Sequence, residues 1–278
     1  MNKVEDFFDI NMVLMTVFSS LETIRDEKKI ELAYEIDAMV PKELKGNVVA
    51  LLHLLTHTLA FVFQNSDKKE IVLSLSAPKD FLYEELISFE IKDVNLNREK
   101  LTRFLETELS KDIELLNGEI IHKSENISDL HIAIPFKLNE LGMRRYYRLP
   151  DKAMLDKKVL LLCGSQKVAR SIKKMFKYFR YDVVVGVDEY KRQGNNLAQY
   201  DILLIEDKLT TKKLENLIVN TQKTTSLKYV LLHDSHYNKI ENTTITSTHL
   251  IKPVMQESIF ELIVSLFENK MNDKNINS

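Results

Sequence analysis

Two apolar stretches of this chain end in residues able to do chemistry. Tyr200-Asp201-Ile202-Leu203-Leu204-Ile205-Glu206 reads as a buried strand closing on a carboxylate, and Leu250-Ile251-Lys252-Pro253-Val254 as an apolar strand closing on a lysine. A carboxylate and an ammonium delivered to one edge of a sheet can pair. They can also hold a phosphoryl group between them, provided acidic ligands bind the Mg²⁺ that neutralises its oxygens. Asp207 stands beside Glu206 as a second acid. Earlier in the chain, His53 and His57 lie one helical turn apart and can face a common metal, but no third ligand stands near them. The alternative is two satisfied histidines on an apolar helix, and no metal or other cofactor is expected.

The elements that must position these groups follow from hydrophobic period. Asp9 to Lys28 reads as an amphipathic helix, with Ile10, Val13, Leu14, Val17, Phe18, Leu21 and Ile24 on one stripe. Ile30 to Ile36 alternates at period two, and Val48 to Phe63 is a second, more apolar helix. Strands follow near Glu70–Ala77 and Glu85–Lys92, then helical pieces near Arg98–Leu109 and Lys111–Asn117, then strands near Glu119–His122 and Asp129–Pro135. This order predicts an α+β sandwich over residues 1–138, a mixed sheet with helices on one face. Residues 139–157 carry Pro150 and little periodicity and read as a linker. Its basic-aromatic patch, Arg144, Arg145, Tyr146, Tyr147 and Arg148, is either a solvated docking segment or a short site for an acidic or nucleic-acid partner.

From 158 to 270 apolar strands alternate with helices: Val159–Cys163, Gln166–Arg180, Asp182–Val187, Asp201–Glu206, Lys212–Asn220, Lys228–His233, His249–Lys252 and Glu257–Asn269. That pattern predicts a five-stranded, doubly wound α/β unit with a parallel sheet covered on both faces. The helix before the last strand is weak, with only Asn238–Asn242 available, and residues 271–278 form a polar tail.

Composition narrows the function classes. At net charge -2 over 278 residues, no global field favours nucleic acid or an anionic membrane. A single cysteine excludes an internal disulfide framework and fits a reducing, cytoplasmic compartment. The acidic start is not a signal peptide, and no apolar run reaches the roughly 20 residues that span a bilayer. Six glycines stand where about 7% usage would give roughly 19, which leaves little material for a phosphate-cradling loop.

The Glu206 and Lys252-Pro253 strand ends resemble the response-regulator receiver domain. That resemblance implies an aspartate acceptor where Glu206 stands, an acidic pair where Cys163 and Gly164 stand, and a hydroxyl where His233 stands. It implies an aromatic switch at His249, and a lysine that Lys252 supplies. One of the five chemical positions is thus unchanged. Two readings stay open: that a Glu206–Lys252 pair imitates the phosphorylated state, or that Lys252 merely satisfies a residual acid. Asp207 as an out-of-register acceptor is a third.

The first 138 residues resemble the Bergerat-type ATP-binding domain of histidine kinases, through Phe8-Asp9-Ile10, Lys29-Ile30-Glu31-Leu32, Val40-Pro41 and a leucine-rich helix. The resemblance puts His57 where that family has a metal- and phosphate-binding asparagine and Ala60 where it has a lysine. Asp93 falls at the adenine-reading aspartate, but its accompanying glycines are Asn95 and Asn97, and the glycine-rich lid is missing.

Together the two units resemble the C-terminal part of a degenerate hybrid histidine kinase. The expectation is a bacterial, non-catalytic two-component signalling adaptor that binds protein partners, with its contact face on His249, Lys252, Val254, Ile259 and Ile263. Self-association is left open. The alternatives are a divergent ATP-binding kinase using Asp93 and His57, or a phosphate-responsive receiver.

Overall fold

Asp9 decides where the chain first becomes helical. In the computed structural model, which describes residues 5–78, 84–121, 128–138, 147–234 and 247–268, its carboxylate accepts the Asn11 N–H at 2.7 Å. Asp9 therefore closes strand β1 (Asp6–Asp9) and caps α1 (Ile10–Ser20). The expected single helix breaks at Leu21 and resumes as α2 (Glu22–Lys28), which ends where Lys29 turns left-handed at φ 54°. Leu21 is itself buried, so the apolar stripe runs on through the break.

Next come β2 (Glu31–Ile36), β3 (Glu43–Gly46), α3 (Val48–Asn65), β4 (Glu70–Ser76), β5 (Glu84–Ile91) and α4 (Arg98–Phe104). Helix α4 continues through a π-helical turn, Leu105–Leu109, into α5 (Ser110–Leu115), and β6 (Glu119–Ile121) and β7 (Leu130–Lys137) follow. The sheet has the order β1-β3-β7-β5-β4-β2, with β6 also on β7. β1 and β3 were not expected. Asp-Phe-Phe-Asp and Glu-Leu-Lys-Gly are too short and too charged to alternate recognisably, and they pair antiparallel at the sheet edge.

Helix α3 is the core helix of this unit. Asn47 caps it, accepting the Ala50 N–H at 3.0 Å, and eight of its residues are buried, from Ala50 to Phe63. At 18 residues it has the length and apolar composition to cross a membrane, closer to that limit than the sequence suggested. Its burial against the unit accounts for that composition.

The second sheet is built from β8 (Lys158–Leu162), β9 (Asp182–Val185), β10 (Ile202–Glu206), β11 (Lys228–His233) and β12 (Thr248–Ile251). All pair parallel, in the order β12-β11-β10-β8-β9. This is the flavodoxin-like order 2-1-3-4-5 read from the other edge. Its helices are α6 (Gln166–Tyr178), α7 (Val187–Arg192), α8 (Lys212–Gln222) and α9 (Gln256–Phe267). β9 stops short of Val187 because Gly186 adopts φ 86°, and α7 then occupies six residues, too few to show a period. Tyr147 of the linker packs its ring on Phe260 and Tyr178, at 5.6 and 6.3 Å. Arg144, Arg145, Tyr146, Asn238–Asn242 and the tail lie outside the described residues.

The chain divides into two compact units, one comprising Met1–Tyr146 with Ser165–Ser171 and the other Tyr147–Gly164 with Ile172–Ser278.

At Gly46 a Cβ would stand 2.8 Å from the buried Phe136 ring. Gly46→Ala is therefore expected to destabilise the protein by about 1–3 kcal/mol in urea unfolding, while Val49→Ala at an exposed site changes stability by under about 0.5 kcal/mol.

Candidate functional site at the edge of the parallel sheet

Because all five strands of the second sheet run the same way, their C-terminal ends deliver side chains to one edge, where ligands bind in folds of this type. Glu206 is the last residue of β10, two places after Leu204, which pairs with Leu161 of β8. The glutamate folds back over that edge and is 1% exposed. Its Oε1 accepts from Lys252 Nζ at 2.7 Å and from Lys208 Nζ at 2.8 Å, and its Oε2 accepts the Gly164 backbone N–H at 2.8 Å. Lys252, 3% exposed, also contacts Asp234 Oδ1 at 2.9 Å. The peptide bond from Lys252 to Pro253 is cis.

Gly164 is favoured here by close approach. A Cβ on it would lie 3.1 Å from Glu206 Oε2, inside ordinary contact distance. The methylene that distinguishes glutamate from aspartate thus carries the carboxylate onto the backbone after β8, and the residue there has no side chain to obstruct it. Burial opposes ionisation of Glu206. The hydrogen bonds from Lys208, Lys252 and Gly164 outweigh it and hold the carboxyl at a pKa of about 2, below its ordinary 4.5.

A second network starts from the neighbouring residues. Asp207 Oδ2 lies 3.0 Å from His233 Nδ1, and His233 Nε2 lies 2.8 Å from His249 Nδ1. His249 Nε2 in turn faces Ser247 Oγ at 3.4 Å. Asp207 thus orients a histidine, His233 is buried, and His249 is exposed on the edge strand β12. Cys163 is partly buried just before Gly164.

In the first unit, His53 and His57 are exposed on α3 and engage each other and their neighbours. His53 and His57 stack with ring centroids 3.9 Å apart, and His53 Nδ1 pairs with Asp112 of α5. One turn on, Phe61 stacks on Phe104 of α4 at 4.3 Å and 15°. Asp93 points to solvent from a left-handed backbone, φ 58°, and its N–H donates to Asp129. Asn95 is also left-handed, at φ 48°, while Asn97 caps α4 by accepting the Lys100 N–H. The structure therefore brings Glu206, Lys252, Gly164, Asp207, His233 and His249 together, while of the first unit's four residues Asp93 and Asn95 line one cavity that His57 and Asn97 do not.

The expected contact face on the last strand and helix needs correction. Lys252 and Val254, ahead of α9, are buried, α9 turns Ile259 and Ile263 to the core, and His249 alone of the five is exposed. Residues the sequence did not single out are Lys208, Asp234, Asp112, Phe61 and Phe104. For Phe61 a signal existed, because 53, 57 and 61 share one helical face at i, i+4 spacing. For Asp112, 59 residues from His53, none did.

No protein-family model matches this chain, and no curated protein does. Among solved structures, full-length ShkA in complex with AMPPNP is similar at a TM-score of 0.65 and 14% identity, over 97% of this chain and 58% of ShkA. The chain thus spans a little over half of that structure's length. Histidine kinase AdeS of Acinetobacter baumannii matches 50% of this chain and 70% of its own at a TM-score of 0.40 and 13% identity. The catalytic domain of histidine kinase ThkA matches 49% and 96% at 0.37 and 13%. At this identity the likeness to ShkA is one of fold. The chain carries a histidine-kinase-type ATPase-like α/β sandwich followed by a receiver-like parallel sheet.

Two predictions follow from the buried pair. Lys252→Met is expected to cost up to about 3–5 kcal/mol in denaturant unfolding at neutral pH, because it removes the buried one of the two lysines that pair with a buried carboxylate, whereas Lys208→Ala, at a half-exposed lysine, costs under about 1 kcal/mol.

The second concerns acid. A carboxyl depressed in the folded state stabilises the fold above its unfolded pKa and loses that contribution as pH falls from 4.5 through about 2. Wild type is expected to lose on the order of 3 kcal/mol more than Glu206→Gln across that window, read from urea midpoints at stepped pH.

Proposed function

We propose that this chain is a non-catalytic signalling adaptor of two-component type, acting through protein partners from the cytoplasm. The observation that carries the reading is the closed state of Glu206. Both of its oxygens are engaged by Lys252, Lys208 and the Gly164 N–H, at the place where phosphoryl chemistry would need a carboxylate open to a metal-bound phosphoryl donor. Cys163 and Gly164, at the positions that the receiver resemblance makes acidic, bring no hard oxygen side chain to replace it. In the first unit, support comes from α3, where His57, at the position that the resemblance gives to an asparagine, stacks on His53, and Phe61 stacks on Phe104. Two cores that stay folded while their reactive positions pair internally leave surface and shape as what a partner can use.

A closed pair of this kind also holds one conformation, which is the sense in which Glu206–Lys252 would imitate a phosphorylated receiver.

The full chain incubated with acetyl phosphate and Mg²⁺ is expected to show no phosphoryl gain by intact mass. Calorimetry with millimolar Mg·ATP is expected to show no saturable heat. A phosphoryl adduct, or ATP binding that weakens in Asp93→Asn, would overturn the reading. Its positive half is met by a protein partner that binds the purified chain stoichiometrically, and affinity unchanged in Lys252→Ala would discard the conformational part.

A further inference from the structure

We propose that His233 and His249 form a binding site for a borderline transition-metal cation (zinc(II), nickel(II) or copper(II)), which fastens the edge strand β12 to β11. The argument begins at Asp207. An ionised carboxylate only accepts hydrogen bonds, so the His233 nitrogen facing it at 3.0 Å, Nδ1, carries the proton. In the neutral ring Nε2 then presents a lone pair, toward His249 Nδ1 at 2.8 Å. A carboxylate on the far nitrogen is the arrangement that orients metal-binding imidazoles and raises their basicity.

Two imidazole nitrogens this close share a single proton. A cation can take its place if both lone pairs turn onto it. Two metal–nitrogen bonds of about 2.0–2.1 Å at a tetrahedral angle separate the nitrogens by roughly 3.3 Å, so the pair must open by about half an ångström. His233 is buried and held by Asp207, but His249 is exposed on a four-residue edge strand and can supply that movement. The proton displaced from His249 Nδ1 has a place to go. It transfers through solvent to Nε2 of the same ring, where Ser247 Oγ at 3.4 Å accepts it, so charge and protons balance without any other reactant.

The electrostatics suit a cation. Asp207 stands behind His233, while Lys208 and Lys252 both direct their ammonium groups at Glu206. The other imidazole pair, His53 and His57, is built differently: its rings stack face to face at 3.9 Å, and a face offers no lone pair.

Competition of Zn²⁺ against a chromophoric chelator, on the untagged full chain, tests this. One equivalent is expected to bind. His249→Ala should weaken it at least tenfold, and Asp207→Asn by roughly ten- to a hundredfold as an orienting residue. His53→Ala should leave it unchanged. Because His249 is exposed, its removal should not unfold the sheet, and His249→Gln gives the same loss with the side-chain bulk kept. Zinc should also raise the melting temperature of wild type but not of His249→Gln. No binding at about 0.1 mM zinc, or stoichiometric binding indifferent to His249→Ala and His249→Gln, overturns the site.

Discussion

The second unit depends on one buried charge, the carboxylate of Glu206. Taking an acid out of water costs several kcal/mol, and only close partners offset it. Three arrive from three separate segments: Lys252 after β12, Lys208 two residues along the turn, and the Gly164 N–H after β8. Each is charge-assisted, and the lysine and backbone contacts at 2.7–2.8 Å lie in the range of such bonds. The arrangement ties the ends of β8, β10 and β12 to one atom group. It also constrains what may stand beside it. Any residue but glycine at 164 would push against Oε2, and an aspartate at 206 would fall a methylene short of the same reach.

The first unit reaches a comparable end by packing. Its central helix buries one face in the sheet and offers His53, His57 and Phe61 on the other. On that second face the two imidazoles stack on each other and stay exposed, an acid from α5 meets His53, and an aromatic from α4 stacks on Phe61. The π-helical turn lies between these partners on α4 and α5. By adding a residue to one turn it lets Leu101, Leu105 and Leu109 all reach the interior while Phe104 and Asp112 meet α3.

Legibility in the sequence followed burial. β8, β10 and β11 are unbroken apolar runs, and α3 is an 18-residue apolar stretch with an asparagine cap, so each could be located closely without coordinates. The four-residue strands β1 and β3 and the six-residue α7 could not, because fewer than two turns or two alternations carry no period. Among site residues, Glu206 and Lys252 were visible as charged ends of apolar strands. What stayed hidden was how the acid would be satisfied. Lys208 and Asp234 look like ordinary surface charges, and nothing in their spacing says that one ammonium or carboxylate will turn inward.

The two networks at this edge are made from the same pair of strand ends, and that links them. Glu206 and Asp207 are consecutive, as are His233 and Asp234, yet the partners divide. Glu206 and Asp234 go to Lys252, while Asp207 goes to His233 and His233 to His249. Successive side chains leave an extended chain on opposite sides, so each strand end supplies one residue to each network. A small rotation of the β11 end, whose His233 carbonyl also accepts the Lys252 N–H at 2.9 Å, would strain both sets of contacts together. Ion pair and imidazole pair are therefore linked through two dipeptides, and the exposed histidine reaches the buried acid by two hydrogen bonds and one peptide link.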